Sequence, residues 1–143
     1  MLFGEEPLAA IATQDFRPEY GVDMAMCGIL EFAGKRFATF ESGFRGTGKG
    51  WYRVVGSKGT IEVPLAYGLN KADALVILTD ALGRHEEHIP GVNQYTLEAE
   101  ELAACLLEGR APTYPPEDAL ANMRVMDAVR RSAQADGLRQ VIV

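Results

Sequence analysis

The sequence is poor in features that would each point to a class of protein. It has two cysteines, Cys27 and Cys105, far apart in segments that read as a buried strand and a buried helix face. A disulfide framework is excluded, and structural thiols are expected, because neither has a partner cysteine or a base beside it. The only two histidines fall in His85-Glu86-Glu87-His88. In a strand, positions three apart point to opposite faces, and the zinc-protease spacing needs a helix, so a shared metal ion is not expected. Apolar runs such as 74–78 are far shorter than the ~20 residues that span a bilayer. The start, Met1-Leu2-Phe3-Gly4-Glu5-Glu6-Pro7, has no basic region and meets acids too early for a secretory leader. Neither a membrane nor export is therefore expected, and a cytoplasmic protein is the default. Net charge is -6 and no lysine or arginine cluster offsets it, which makes nucleic acid an unsuitable partner.

What remains is an ordinary globular composition, with 48% apolar and 24% charged residues among 143. That length fits a single domain, 1–143, with one core. Its first two thirds alternate short β-rich runs with glycine turns. A strand is expected over 8–14. Met24, Met26, Leu30 and Phe32 recur with period two, Ala33-Gly34 makes a turn, and 36–44 returns with Ala38, Phe40 and Phe44 in the same parity. A second hairpin joins 51–55 to 60–63 through Gly56-Ser57-Lys58-Gly59 and stops at Pro64. A third joins 74–79 to 84–89, whose return strand is polar enough to lie at an edge.

The pattern then becomes helical. Asn93 can cap a helix with the apolar stripe Tyr95, Ala99, Leu102, Ala103 and Leu106, stopped by Gly109. Pro115-Pro116-Glu117-Asp118 opens another, with Ala121, Val125, Ala128, Val129 and Ala133 on one face, ending near Gly137. A short terminal strand, 140–143, can rejoin the sheet. Strands first and helices afterwards predict an α+β fold: a largely antiparallel open sheet with two C-terminal helices packed on one face. The other face, read as carrying Met24, Met26, Leu30, Ala38, Phe40 and Phe44, then needs cover, which predicts a homo-oligomer.

Chemical motifs are scarce. Residues 43–49 match a phosphate-binding loop as far as Lys49, but Gly50 stands where Ser or Thr would hold magnesium. A strand follows, where the mechanism needs a helix N-terminus. The overlapping Gly46-Thr47-Gly48 has Trp51 in place of the third glycine of a dinucleotide fingerprint. Glu98, Glu100, Glu101 and Glu108 read as the wet face of the first helix, and Asp127 as a polar-side residue of the second. No catalytic triad or paired carboxylates emerge.

Several stretches together resemble the C-terminal domain of the glucose-fructose oxidoreductase, inositol dehydrogenase and rhizopine catabolism (Gfo/Idh/MocA) family. Leu2-Phe3-Gly4-Glu5-Glu6-Pro7 is similar to the family's "LFGxxP" entry to the sheet, and Phe37-Ala38-Thr39-Phe40-Glu41-Ser42-Gly43-Phe44 to its "A-T-F-x-x-S/G-F" strand. Tyr52-Arg53-Val54-Val55-Gly56-Ser57-Lys58-Gly59-Thr60-Ile61-Glu62-Val63-Pro64 resembles the hairpin "V-x-G-T-x-G-x-I-x-V-P", the most specific of the matches. Asn93-Gln94-Tyr95, Pro115-Pro116-Glu117-Asp118-Ala119, Met123 and Asp127-Ala128 resemble the closing helices.

The resemblance implies a parent that transfers hydride between NAD or NADP and a sugar, inositol or related polyol. It also implies that the open sheet face makes the subunit interface. Family members bind the cofactor with a Rossmann domain carrying a glycine fingerprint and an "E-K-P" lysine, followed by an aspartate and a histidine on a helix. None of these has a counterpart in the 143 residues, and Lys49, Lys58 and Lys71 lack the flanking glutamate and proline. The expectation is a domain without its Rossmann half, with no cofactor of its own and no catalytic residue, supplying part of a substrate pocket and an oligomer contact. The competing reading is a self-contained, non-catalytic binding or scaffold domain. The candidate substrate contacts are Arg45, Lys49, Trp51 and Tyr52, two cations and two polar-tipped rings in a glycine-rich connection, able to stack on a sugar and hydrogen-bond its hydroxyls.

Overall fold

The computed structural model describes residues 3–48, 50–69 and 71–143. In chain order the elements are β1 (Ala9–Arg17), β2 (Val22–Phe32), β3 (Arg36–Gly43), β4 (Tyr52–Gly56), β5 (Gly59–Val63), β6 (Ala74–Asp80), β7 (Gly83–Ile89), α1 (Gln94–Glu108), α2 (Pro116–Gln134) and β8 (Gln140–Val141). Every strand pairing is antiparallel, so the α+β class read from the sequence holds. The strands fall into two four-stranded sheets, ordered β3-β2-β1-β8 and β4-β5-β6-β7. The chain likewise divides into two compact units, one formed by the residues up to Gly46 with Thr113–Val143, the other by Thr47–Pro112. Each hairpin is marked by its turn residues, but nothing local marks where one sheet stops and the next begins.

In the first unit α2 lies against β1. Ala10, Ala12, Ala128 and Val129 are buried there, with Met26, Leu30, Phe40, Val125, Ala133 and Ile142 packed around them. Small residues on both elements let the helix approach the strand closely. Across the sheet, each large residue of the covered face has a small one beside it. Ala10 faces Leu30, which faces Ala38; Ala12 faces Gly28, which faces Phe40. A Cβ on Gly28 would sit 2.8 Å from the Phe40 ring and 2.5 Å from the Ile11 carbonyl oxygen. Glycine is therefore the residue that lets the Phe40 ring lie over β2.

Strand alternation puts Met26, Leu30 and Phe40 on the helix-covered side, which corrects the assignment of these residues to the uncovered face. The opposite face carries Ile11, Thr13, Cys27, Ile29, Phe37 and Thr39. Cys27, expected to be buried, is exposed. β2 is apolar in both parities, so periodicity alone could not say which side the helix covers.

One polar contact is fully enclosed. β8 pairs with β1 only at Ala9 and Ala10, and beyond its end the Ala12 N–H donates to the Ser132 hydroxyl of α2 at 2.9 Å. Ser132 is completely buried. The side chain thus takes over a sheet donor where the neighbouring strand runs out, and an unpaired buried amide there would be costly.

In the second unit β7 pairs only with β6 and is exposed along its whole length, the expected edge strand. α1 has the expected caps. The Asn93 side chain accepts from the Tyr95 N–H at 3.1 Å, and Gly109 is left-handed. Its stripe was expected to pack on a sheet, yet Tyr95, Leu102 and Leu106 are 68%, 61% and 75% exposed.

Replacing Ser132 with Ala is expected to lower the stability by about 1–3 kcal/mol, although alanine is the better helix former, because the Ala12 amide loses its acceptor. Gly28→Ala should cost a similar amount, roughly 1–3 kcal/mol, by overpacking against Phe40. Urea unfolding monitored by far-ultraviolet circular dichroism checks both; unchanged midpoints would remove this account of the first unit's core.

Candidate functional site

The β4–β5 hairpin carries the strongest candidate surface. Its register pairs Tyr52 with Val63, which brings Trp51, just before the first paired residue, beside the end of β5. Trp51, Glu62, Val63 and Pro64 line an open hollow of about 280 Å³. Val63 is buried, whereas the Trp51 ring is 64% exposed. The loop after β5 returns to the same place, because the Ala66 N–H donates to the Gly50 carbonyl at 2.8 Å. The Tyr67 ring packs on Gly50 so closely that a Cβ there would lie 2.5 Å from the ring. Two exposed rings, Trp51 and Tyr67, are therefore held next to the backbone at Gly50, and Glu62 lines the hollow beside Trp51.

Such a surface suits a polyhydroxylated ligand: ring faces take its C–H groups, and a carboxylate accepts from its hydroxyls. Tyr67 and Glu62 were not among the residues singled out from sequence. The available signal was the Pro64-to-Gly68 loop, whose aromatic must fall near the hairpin's open end once Pro64 stops β5.

The other candidates do not line this hollow or fall outside the described residues. Tyr52 alternates with Trp51 at the start of β4 and is partly exposed. Arg45 belongs to the first unit, where its Nη1 lies 3.4 Å from Asp15 Oδ2. That carboxylate also holds Arg17 Nε, at 2.9 Å, at the register shift of β1 between Gln14 and Phe16. Lys49 lies outside the described residues. His85 and His88 lie on the exposed β7, and among the described residues no group of three potential metal ligands gathers.

Residues 1–141 match the family model described as "Oxidoreductase family, C-terminal alpha/beta domain". The chain belongs to the Gfo/Idh/MocA oxidoreductase family. This Gfo/Idh/MocA C-terminal domain is 30% identical over 135 residues to D-xylose 1-dehydrogenase (NADP(+)) 2 of Haloferax volcanii, covering 93% of the chain and 41% of that protein. It is 26% identical over 140 residues to an uncharacterized oxidoreductase of Rhizobium meliloti, covering 94% and 42%. Among solved structures it is similar to the aldose-aldose oxidoreductase of Caulobacter crescentus complexed with glycerol. The TM-score is 0.85 at 25% identity, over 98% of this chain and 42% of that one. It thus spans about two fifths of the length of the relatives it matches.

In this Gfo/Idh/MocA domain the glycine-rich segment 43–50 runs from β3 into β4, so no helix N-terminus follows it to receive the pyrophosphate of a nicotinamide dinucleotide. No helix among the described residues is long and apolar enough to cross a membrane.

Cys105, in α1, is buried as expected. Burial and donation to Glu101 push its thiol above the usual range, with the Arg110 guanidinium opposing them. Arg110 clasps the helix end. It grips Glu101 with both terminal nitrogens, at 2.9 and 2.8 Å, and Glu108 with Nε at 2.9 Å. A protonated, enclosed thiol is a poor nucleophile. Native dilute protein treated with a maleimide at neutral pH is therefore expected to label at Cys27 and not at Cys105, read by peptide mass mapping. Equal labelling of the two would contradict these assignments.

Proposed function

We propose that the chain supplies the substrate side of an NAD- or NADP-dependent oxidoreductase that acts on a sugar, inositol or related polyol, with the cofactor bound by residues outside this stretch. The observation that carries the reading is the Trp51 hollow on a hairpin of this family's C-terminal domain. Two relatives support the substrate class, because one is a D-xylose dehydrogenase and the other an aldose-aldose oxidoreductase.

In this reading Trp51 and Tyr67 form a platform for the apolar face of the sugar, and Glu62 accepts from a hydroxyl. Tyr52, at the start of β4, and Lys49 are further candidate contacts on the same hairpin approach. None of them transfers hydride or a proton. Their work is to hold the reacting carbon in place, which raises affinity and orients the substrate. In the whole oxidoreductase, Trp51→Ala and Tyr67→Ala are expected to raise KM for the sugar roughly three- to tenfold, by loss of stacking, with KM for the nicotinamide unchanged. Lys49→Ala should act in the same direction. Unchanged sugar kinetics in all three variants would assign this loop to structure alone.

The second part of the proposal is a homo-oligomer formed through the face of the first sheet that α2 leaves open. Ile29 and Phe37 are 39% and 66% exposed there, beside Thr13, Cys27 and Thr39 and with Glu31 and Glu41 on the same face, exposed apolar groups with a polar surround of the kind that partners cover. Cys27 reports on it directly. Its maleimide labelling is expected to slow as protein concentration rises; a rate independent of concentration, with a monomer by sedimentation, would rule out that interface.

A further inference from the structure

The face of the second sheet that carries Trp51 also carries two opposite charges that do not join. Strand alternation puts Trp51, just before β4, on the same side as Arg53, and the register sets Arg53 directly across from Glu62 of β5. The hollow agrees with that placement, since Trp51 and Glu62 both line it. Directly opposed residues of an antiparallel pair have Cβ atoms about 4.5–5.5 Å apart, well within reach of an ion pair between side chains of this length. Yet among the described residues neither Arg53 nor Glu62 takes part in an ion pair. On the same face Arg84 and Glu86 of β7 do pair with each other.

The surroundings of Glu62 are otherwise apolar. Its neighbour on β6 is Ile77, 7% exposed, and Trp51 and Pro64 share the hollow with it. Glu62 is half-buried and Arg53 exposed. A carboxylate only accepts hydrogen bonds and a guanidinium only donates them. A ring face with an acceptor and a donor beside it matches two neighbouring hydroxyls of a sugar or polyol. One hydroxyl donates to Glu62, the next accepts from Arg53, and the C–H face of the ligand lies on Trp51. The two charges cancel locally, so an anionic group drawn to Arg53 meets Glu62.

We infer that Arg53 is a substrate-binding residue, which together with Glu62 reads two adjacent hydroxyls and makes the hollow selective for neutral sugars and polyols over the corresponding acids. The inference deepens the function proposed above and rests on it, because it takes the Trp51 hollow to be the sugar site.

Trp51 is the sole tryptophan of the chain, so its emission reports on the hollow directly. The test titrates the 143-residue protein with D-xylose, myo-inositol and D-glucuronate, following tryptophan fluorescence. The two neutral ligands are expected to give a saturable change and glucuronate to bind at least about fivefold more weakly. Arg53→Ala and Glu62→Gln should each weaken binding of the neutral ligands about tenfold, as for the loss of a hydrogen bond to a charged group. The double variant should lose less than the product of the two, since one ligand bridges both residues. Melting temperatures should stay within about a degree, because neither side chain holds the other. Neutral ligands that bind all variants equally overturn the inference and leave the proposed function standing. Glucuronate that binds more tightly than xylose, through Arg53 alone, overturns it in favour of an acid subsite. Melting temperatures that fall alike in both single variants overturn it in favour of a structural pair. A wild-type protein whose emission responds to none of the three ligands counts against the Trp51 hollow as the sugar site, and the inference falls with that reading.

Discussion

The first unit depends on the contact between α2 and β1. Alanines at positions 10, 12 and 128 bring helix and strand close enough for the Ser132 hydroxyl to take the Ala12 amide. That single bond does what a longer β8 would otherwise do. α2 covers the face that carries Met26, Leu30 and Phe40, which become core, while Cys27, Ile29 and Phe37 are left outside. The row Ala12, Gly28, Phe40 follows from the same closeness, since the ring can reach across β2 only where a side chain is missing. Fold and candidate interface thus have one origin.

The second unit is organised differently. Two hairpins laid side by side form a sheet in which Val63 and Ile77 are the buried strand residues. With so little enclosed, its surfaces stay available. In the hollow by Trp51 and along α1, exposed apolar groups stand on backbone ordered by hydrogen bonds, through Gly50 and Ala66 in one case and the Asn93 and Gly109 caps in the other.

Much of this was legible in the sequence. Turn residues marked three of the hairpins, though not the one joining β1 to β2, and Asn93, Gly109, Pro116 and the acids after it placed both helices within about three residues. The family resemblance, carried above all by the hairpin from Tyr52 to Pro64, agrees with the match over residues 1–141. Less legible was whatever depends on contacts between distant segments. The division into two sheets has no local mark. The facing of β2 was ambiguous because Ala25, Cys27 and Ile29 are as apolar as Met24, Met26 and Leu30. Of the site, Trp51 and Tyr52 stood out as aromatics in a glycine-rich connection. Tyr67 and Glu62 did not, because their place beside Trp51 comes from strand register and from the loop's return to Gly50.

The central claim is a division of labour, with substrate contacts on this chain and the nicotinamide held elsewhere in the oxidoreductase. Calorimetric titration of the 143-residue protein with NADH and NADPH tests it most directly. The account predicts no saturable heat at micromolar concentrations of either cofactor, because segment 43–50 leads into a strand and offers no helix N-terminus to a pyrophosphate. Saturable micromolar binding of either would contradict it.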